Sequence, residues 1–138
     1  MDGDLVYLDT SGVLAFLNLD DACHPAARVA WEAALTQRLN MVMTDYVRLE
    51  AWSLIQSCLG LEAVVAFRNR ILPTCRIEAV GEQGFELLSR QALLSRRRDL
   101  SLVDLSSFDC MERLSITCAI AFDKHFTERG YRLPESGA

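Results

Sequence analysis

Four carboxylates, Asp9, Glu50, Asp104 and Asp123, stand at positions that one pocket would bring together. Asp9 follows the apolar run Leu5-Val6-Tyr7-Leu8, and Asp123 follows Cys118-Ala119-Ile120-Ala121-Phe122. Both runs read as buried strands, and in an open α/β sheet ligands bind at the carboxyl ends of parallel strands. Asp104, within Ser101-Leu102-Val103-Asp104-Leu105-Ser106-Ser107, opens a helix in the same way. Glu50 falls beside Val47 and Leu54 on a helical wheel, at the margin of an apolar stripe, so its charge calls for a match. Such a cluster repels itself without a cation. Mg²⁺ and Mn²⁺ are hard ions that take oxygen ligands, keep several waters and link carboxylates to substrate phosphates. The implied chemistry is phosphodiester hydrolysis, with an activated water attacking phosphorus and charge neutralised on the phosphorus oxygens and the leaving oxygen.

Each acid also has a plain structural reading. Aspartate is a good N-cap, which accounts for Asp9, Asp104 or Asp123 singly and is compatible with a site. Glu50 has the alternatives of reaching solvent or pairing with Arg48 or a cation on a neighbouring helix.

The elements that must hold these residues follow from periodicity. A helix opens at Asp9-Thr10-Ser11-Gly12. A second, offered N-caps by Asp20 and Asp21 and a first-turn proline by Pro25, runs through Val29, Ala30, Ala33 and Ala34. Met41-Val42-Met43 reads as a strand, and Thr44 caps a helix with its stripe at Val47, Ala51, Leu54, Ile55 and Cys58, ending near Gly60. Further helix is expected over 61–72, a strand over 76–80 and helix again over 82–97. The helix at Asp104 carries Phe108, Met111 and Ser115 on one side, a strand spans 118–122, and Tyr131-Arg132-Leu133 reads as an edge strand. Short apolar strands alternating with helices imply a three-layer α/β fold with a mostly parallel sheet.

Here the chain resembles a known family, the PIN domain, and in particular the toxin ribonucleases of bacterial VapBC type toxin–antitoxin pairs. The resemblance rests on Leu8-Asp9-Thr10-Ser11, Thr44-Asp45-Tyr46-Val47-Arg48-Leu49-Glu50, Leu100-Ser101-Leu102-Val103-Asp104 and Phe122-Asp123-Lys124-His125-Phe126, in the family's order and at similar separations. It implies a PIN-like three-layer α/β/α sandwich with a mostly parallel central sheet of four or five strands. It also implies a Mg²⁺- or Mn²⁺-dependent endoribonuclease whose metal-binding, catalytic acids are Asp9, Glu50, Asp104 and Asp123, with Thr10 or Ser11 orienting the first. The partners implied are an RNA substrate, a small antitoxin and a second copy of the chain. Ala121, where many relatives have a hydroxyl residue, and Asp109, where a small residue is usual, depart from the pattern.

Bulk properties agree with that picture. At 138 residues, 51% hydrophobic and 24% charged, with 7 Gly and 3 Pro, the composition is globular, and one domain is expected over 1–138, with 130–138 partly a frayed tail. A net charge of -5 argues against gripping nucleic acid through bulk charge, leaving local or metal-mediated contact. Five scattered cysteines, an odd number without a CxxC pair, suit a reducing compartment and a poor zinc site. With no signal peptide or membrane-length apolar run expected, the reading is cytoplasmic.

Other residues carry weaker signals. Arg96-Arg97-Arg98 is the strongest basic run, suited to RNA phosphates or to a solvated helix end. Asp109 is expected to pair with Arg113 four residues on. His125 is either a general acid or a surface residue of a short helix beside Lys124, and Trp31 and Trp52 cover the core. Two non-nuclease readings fit less well. A receiver-like module needs an acid adjacent to Asp9 and an isolated late lysine, and a DxD phosphatase needs an acid where Ser11 stands. A housekeeping RNA-processing nuclease and a catalytically silent RNA-binding domain are the readings closest to the toxin.

Overall fold

The computed structural model describes residues 4–135. Four strands, β1 (Leu5–Leu8), β2 (Asn40–Thr44), β3 (Cys75–Glu78) and β4 (Ala119–Ile120), form one all-parallel sheet in the order β3-β2-β1-β4. Among the described residues seven α-helices surround it: α1 (Thr10–Leu17), α2 (His24–Thr36), α3 (Asp45–Cys58), α4 (Leu61–Ala66), α5 (Gly81–Ser95), α6 (Leu102–Arg113) and α7 (Lys124–Glu128). Val6, Tyr7, Leu8, Val42 and Met43 are fully buried, as the uninterrupted apolar runs require when helices cover both faces of a parallel sheet. At the β3 edge, Arg76 and Glu78 pair at 2.9 Å and keep the outermost strand polar.

The chain runs outward from β1 to β2 and β3, then returns to place β4 on the other side of β1. The strand order therefore reverses between β1 and β4, and the crevice at their carboxyl ends is where such sheets bind ligands. Asp9 and Asp123 flank it.

Several elements differ in extent from their sequence expectations. The strand expected over 118–122 is in register with β1 at Ala119 and Ile120 and stops short of Phe122, whose N–H goes to Ser11 Oγ at 2.9 Å where β1 has already turned into α1. The edge strand expected at Tyr131-Arg132-Leu133 is a single bridge between Arg132 and Cys118. The expected helix over 61–72 is α4, then a wide turn over Phe67–Ile71 and a tight one over Leu72–Thr74, where Pro73 lacks the N–H to continue. The helix expected over 82–97 stops at Ser95, since Arg96 is left-handed (φ 56) and Ser95 Oγ takes the Arg97 N–H. Asp21 accepts the Cys23 N–H at 2.7 Å and shapes the turn before α2, whose N-cap is Cys23 instead of either aspartate. Of the tail expected to fray, Arg132 is bridged, Pro134 is buried and Gln37 donates to the Glu135 carbonyl; 136–138 lie outside the described residues.

Trp31 is buried and stacks on Phe16 at 4.0 Å, while Trp52 is half-buried and donates to Gln56. Gly12 marks a close approach of two backbones. A Cβ there would collide with the Ile120 carbonyl, 2.8 Å from its carbon, so α1 seats on the end of β4 only without a side chain. Gly12→Ala is expected to destabilise the protein by about 1–3 kcal/mol through overpacking, despite alanine's better helix propensity. A denaturant melt checks this; a variant as stable as wild type would show that the helix can lift at no cost.

Candidate metal centre

Each acid is placed by a local interaction that its own sequence provides. Asp9 caps α1, its Oδ2 accepting the Ser11 N–H at 3.1 Å and the Ser11 hydroxyl at 2.6 Å. That hydroxyl also accepts from Phe122 N–H, so Ser11 ties the end of β1 to the segment entering Asp123. Asp123 caps α7 through Oδ1, which takes the His125 N–H at 2.9 Å. Asp104 is not the cap of α6. Ser101 is, and Asp104 Oδ2 reaches back to the Ser101 N–H at 3.0 Å in a capping box. The three aspartates thus share one arrangement: one carboxylate oxygen holds a backbone N–H, and the other has no hydrogen-bond partner among the described residues.

Glu50, half-buried on α3, makes no ion pair or hydrogen bond among the described residues, so the alternative of pairing with Arg48 or a neighbouring cation is not realised. Thr44 fixes that helix by accepting the Val47 N–H at 3.2 Å. Thr44 Oγ1 also meets Ser106 Oγ at 2.9 Å, and the Tyr7 hydroxyl donates to Ser107 Oγ at 2.7 Å. These buried pins seat the first turns of α6 on β1 and β2, and so deliver Asp104 to the crevice.

The result is a concentration of negative charge. Asp9 is 4% exposed. Burial pushes its pKa from the usual 3.8 up to about 6, against the pull of its Ser11 bonds, with the fields of Asp104 and Glu50 adding to the rise. Oxygens of Asp104 and Asp123 and a nitrogen of His125 lie within 4.8 Å of one another. Asp104 therefore links the two, its charge acting on Asp9 and its oxygen lying within 4.8 Å of one on Asp123. Thr10 contributes the one buried side-chain polar atom without a partner among the described residues, its Oγ1, next to Asp9. The free carboxylate oxygens of Asp104 and Asp123 are donors of the kind a hard, oxygen-seeking divalent cation takes, and Asp9 lies close enough to Asp104 for its pKa to respond to that charge.

Other residues of interest lie elsewhere or are occupied. Arg97 is tied to Asp99 at 3.0 Å and Glu128 at 3.8 Å, whereas Arg96 and Arg98 are exposed without an ion pair among the described residues. Asp109 pairs with Arg113 at 2.8 Å, as expected. Ala121 is buried. His125 is not a surface residue: it is 3% exposed, against the surface reading of its sequence. Sequence reasoning passed over Tyr7, Thr44, Ser106 and Ser107 as structural pins. The Ser-x-x-Asp spacing at Ser101 was the readable signal for the capping box.

A parallel sheet with acids following β1 and β4, where its strand order reverses, defines an α/β framework with its ligand crevice at that point. The chain belongs to the PIN domain family, whose profile matches residues 6–130. It is 33% identical over 133 residues to the 23S rRNA-specific endonuclease VapC20 of two Mycobacterium tuberculosis strains, covering 92% of this chain and 95% of the relative. The crystal structure of M. tuberculosis VapC20, described as a sarcin-ricin loop cleaving toxin, superposes with a TM-score of 0.79 at 28% identity, covering 91% of this chain and 95% of that one.

The raised Asp9 pKa has a defined sign. In chelator, the folded protein keeps the Asp9 proton up to about pH 6, whereas the unfolded chain releases it near 3.8, so stability falls as pH rises between those values. The loss from this group is about 3 kcal/mol once both values are passed. Asp9→Asn removes it and keeps the cap. Metal-free thermal melts should show the variant at or above wild type at about pH 7.5, with the advantage gone at about pH 4. A variant clearly less stable at the higher pH would contradict the assigned burial of charge.

Proposed function

We propose that this protein is a divalent-cation-dependent endoribonuclease whose catalytic, metal-binding residues are Asp9, Glu50, Asp104 and Asp123. The observation that carries the reading is that three aspartates from separate segments each anchor one oxygen locally and leave the other free beside the switch point of the sheet. When bound, Mg²⁺ or Mn²⁺ would supply charge neutralisation at the scissile phosphate and lower the pKa of water. The acids would hold it, Ser11 fixing the Asp9 carboxylate. Hydrolysis breaks one P–O bond of the RNA backbone and joins the water oxygen to phosphorus. Electrostatics supports the same division of labour: a pocket this acidic repels RNA until a cation is present. Arg96 and Arg98 remain available for phosphates, while Arg97 is committed to its ion pairs.

The similarity to a 23S rRNA-specific endonuclease and to a sarcin-ricin loop cleaving toxin makes ribosomes the first substrate to try and supports reading this chain as the toxin of a toxin–antitoxin pair, which a small antitoxin would restrain. A homodimer belongs to the same reading. Leu93 and Leu94 on α5, 81% and 82% exposed, support a surface that an assembly covers. One domain over the whole chain and a cytoplasmic location complete it; no described helix is long and apolar enough to cross a membrane.

The test is cleavage of ribosomal and protein-free RNA by the purified protein with Mn²⁺, Mg²⁺ or EDTA. Wild type should cut only with a divalent cation. Asp9→Asn and Asp104→Asn should lose more than about 100-fold of that rate, beyond the loss typical of residues that merely support a metal ligand, and should abolish any growth arrest on expression. Cleavage in EDTA, or by either variant at wild-type rate, would refute the site; arrest that persists in both variants would refute its link to toxicity.

A further inference from the structure

His125 is a buried imidazole beside the acids that the proposed hydrolysis does not use. Its side chain is 4% exposed. Nε2 lies 2.9 Å from the Asp99 carbonyl oxygen, and Nδ1 lies 3.5 Å from the Arg97 guanidinium. A carbonyl only accepts and a guanidinium only donates, so the ring donates from Nε2 and accepts at Nδ1. Neither nitrogen is left with a lone pair for a metal, although the ring sits within 4.8 Å of Asp104 and Asp123 oxygens.

We infer that His125 is a positioning residue: its Nε2–H bond to Asp99 clamps the segment leading into α6 onto α7, and thereby holds Asp104 and Asp123 at the spacing of one cation site. From the Asp99 carbonyl the chain passes through Leu100, which is buried, to Ser101, whose capping box fixes Asp104. On the other side, the His125 N–H is itself bonded to Asp123 Oδ1. One ring therefore sits between the two acids' anchors. The ion pairs Arg97–Glu128 and Lys124–Asp99 span the same junction at 3.8 and 3.7 Å, but their side chains are 44–69% exposed, where such pairs contribute little. Phe108 of α6 packs on Phe126 of α7 at 4.9 Å, and the buried imidazole adds to that apolar contact a hydrogen bond beside the two acids.

This inference rests on the cation site proposed above, and the experiment separates the two. Mn²⁺ affinity is read from the metal-dependent thermal shift of the full chain for wild type, Asp104→Asn, His125→Gln, His125→Asn and His125→Leu, with circular dichroism in EDTA to check the fold. His125→Gln keeps an amide N–H where Nε2 stood. In His125→Asn the amide reaches only the Nδ1 position, and His125→Leu has no donor. The expected result is Mn²⁺ binding weakened about 10- to 100-fold in the Leu and Asn variants, and restored toward wild type in Gln. If the Leu variant fails to fold, the Gln and Asn pair decides by the same criterion. Wild-type affinity in Leu or Asn would overturn the inference. So would a Gln variant as weak as Asn, the result expected if a ring nitrogen ligated the metal. A wild type without a saturable Mn²⁺ shift, or with one that Asp104→Asn retains, would overturn the site itself and the inference with it.

Discussion

Asp9 is buried in the field of Asp104 and Glu50, and Asp104 and Asp123 bring oxygens within 4.8 Å of one another, so like charge is concentrated at the carboxyl ends of β1 and β4. The three aspartates use the same device. One oxygen accepts a backbone N–H at the start of a helix, where the unpaired amides and the helix dipole favour negative charge, and the other is left free. Capping fixes the acid without neutralising it. Glu50 comes from the interior of α3, and its position depends on the Thr44 cap one and a half turns earlier. The proposed site draws its four acids from separate segments, and the reversal of strand order between β1 and β4 opens the crevice beside which Asp9 and Asp123 begin their helices.

Holding helices to that edge takes polar as well as apolar contacts. Gly12 lets α1 touch the Ile120 carbonyl, and the Ser11 hydroxyl, placed by the same turn, ties Asp9 to the segment before Asp123. On the other face, Tyr7–Ser107 and Thr44–Ser106 link α6 to the two central strands. In a buried setting each such bond is costly to break, because its partner is left unsatisfied, so these pairs fix the register of α6 more sharply than apolar packing would. The charge itself works against stability. Asp9 is desolvated with only Ser11 to support it, a case of function held at the expense of the fold.

What could be read from the sequence was what local chemistry determines. The apolar runs before Asp9 and Asp123, the Thr44 cap and the stripe of α3 are signals contained within a few residues, and the α/β layering follows from their alternation. The interactions that complete the site join residues far apart in the chain: Tyr7 with Ser107, Ser11 with Phe122, His125 with Asp99. Their residue types alone give no sign of them. His125 looked like a surface residue because α7 has only five residues, too few for a periodic apolar face to show which side is buried. Arg97 looked available for RNA because three arginines in a row suggest a solvated patch, whereas the left-handed turn at Arg96 directs the chain back so that Arg97 meets Asp99 and Glu128.

The central claim is that acids from four segments form one cation site in this PIN domain. Crystals soaked in MnCl₂ and measured at the manganese absorption edge test it without reference to activity. The account predicts an anomalous peak within coordinating distance, about 2.0–2.6 Å, of free oxygens of Asp9, Asp104 and Asp123, and absent from crystals of Asp104→Asn. Crystals whose only manganese lies elsewhere, or whose peak survives that substitution unchanged, would contradict it.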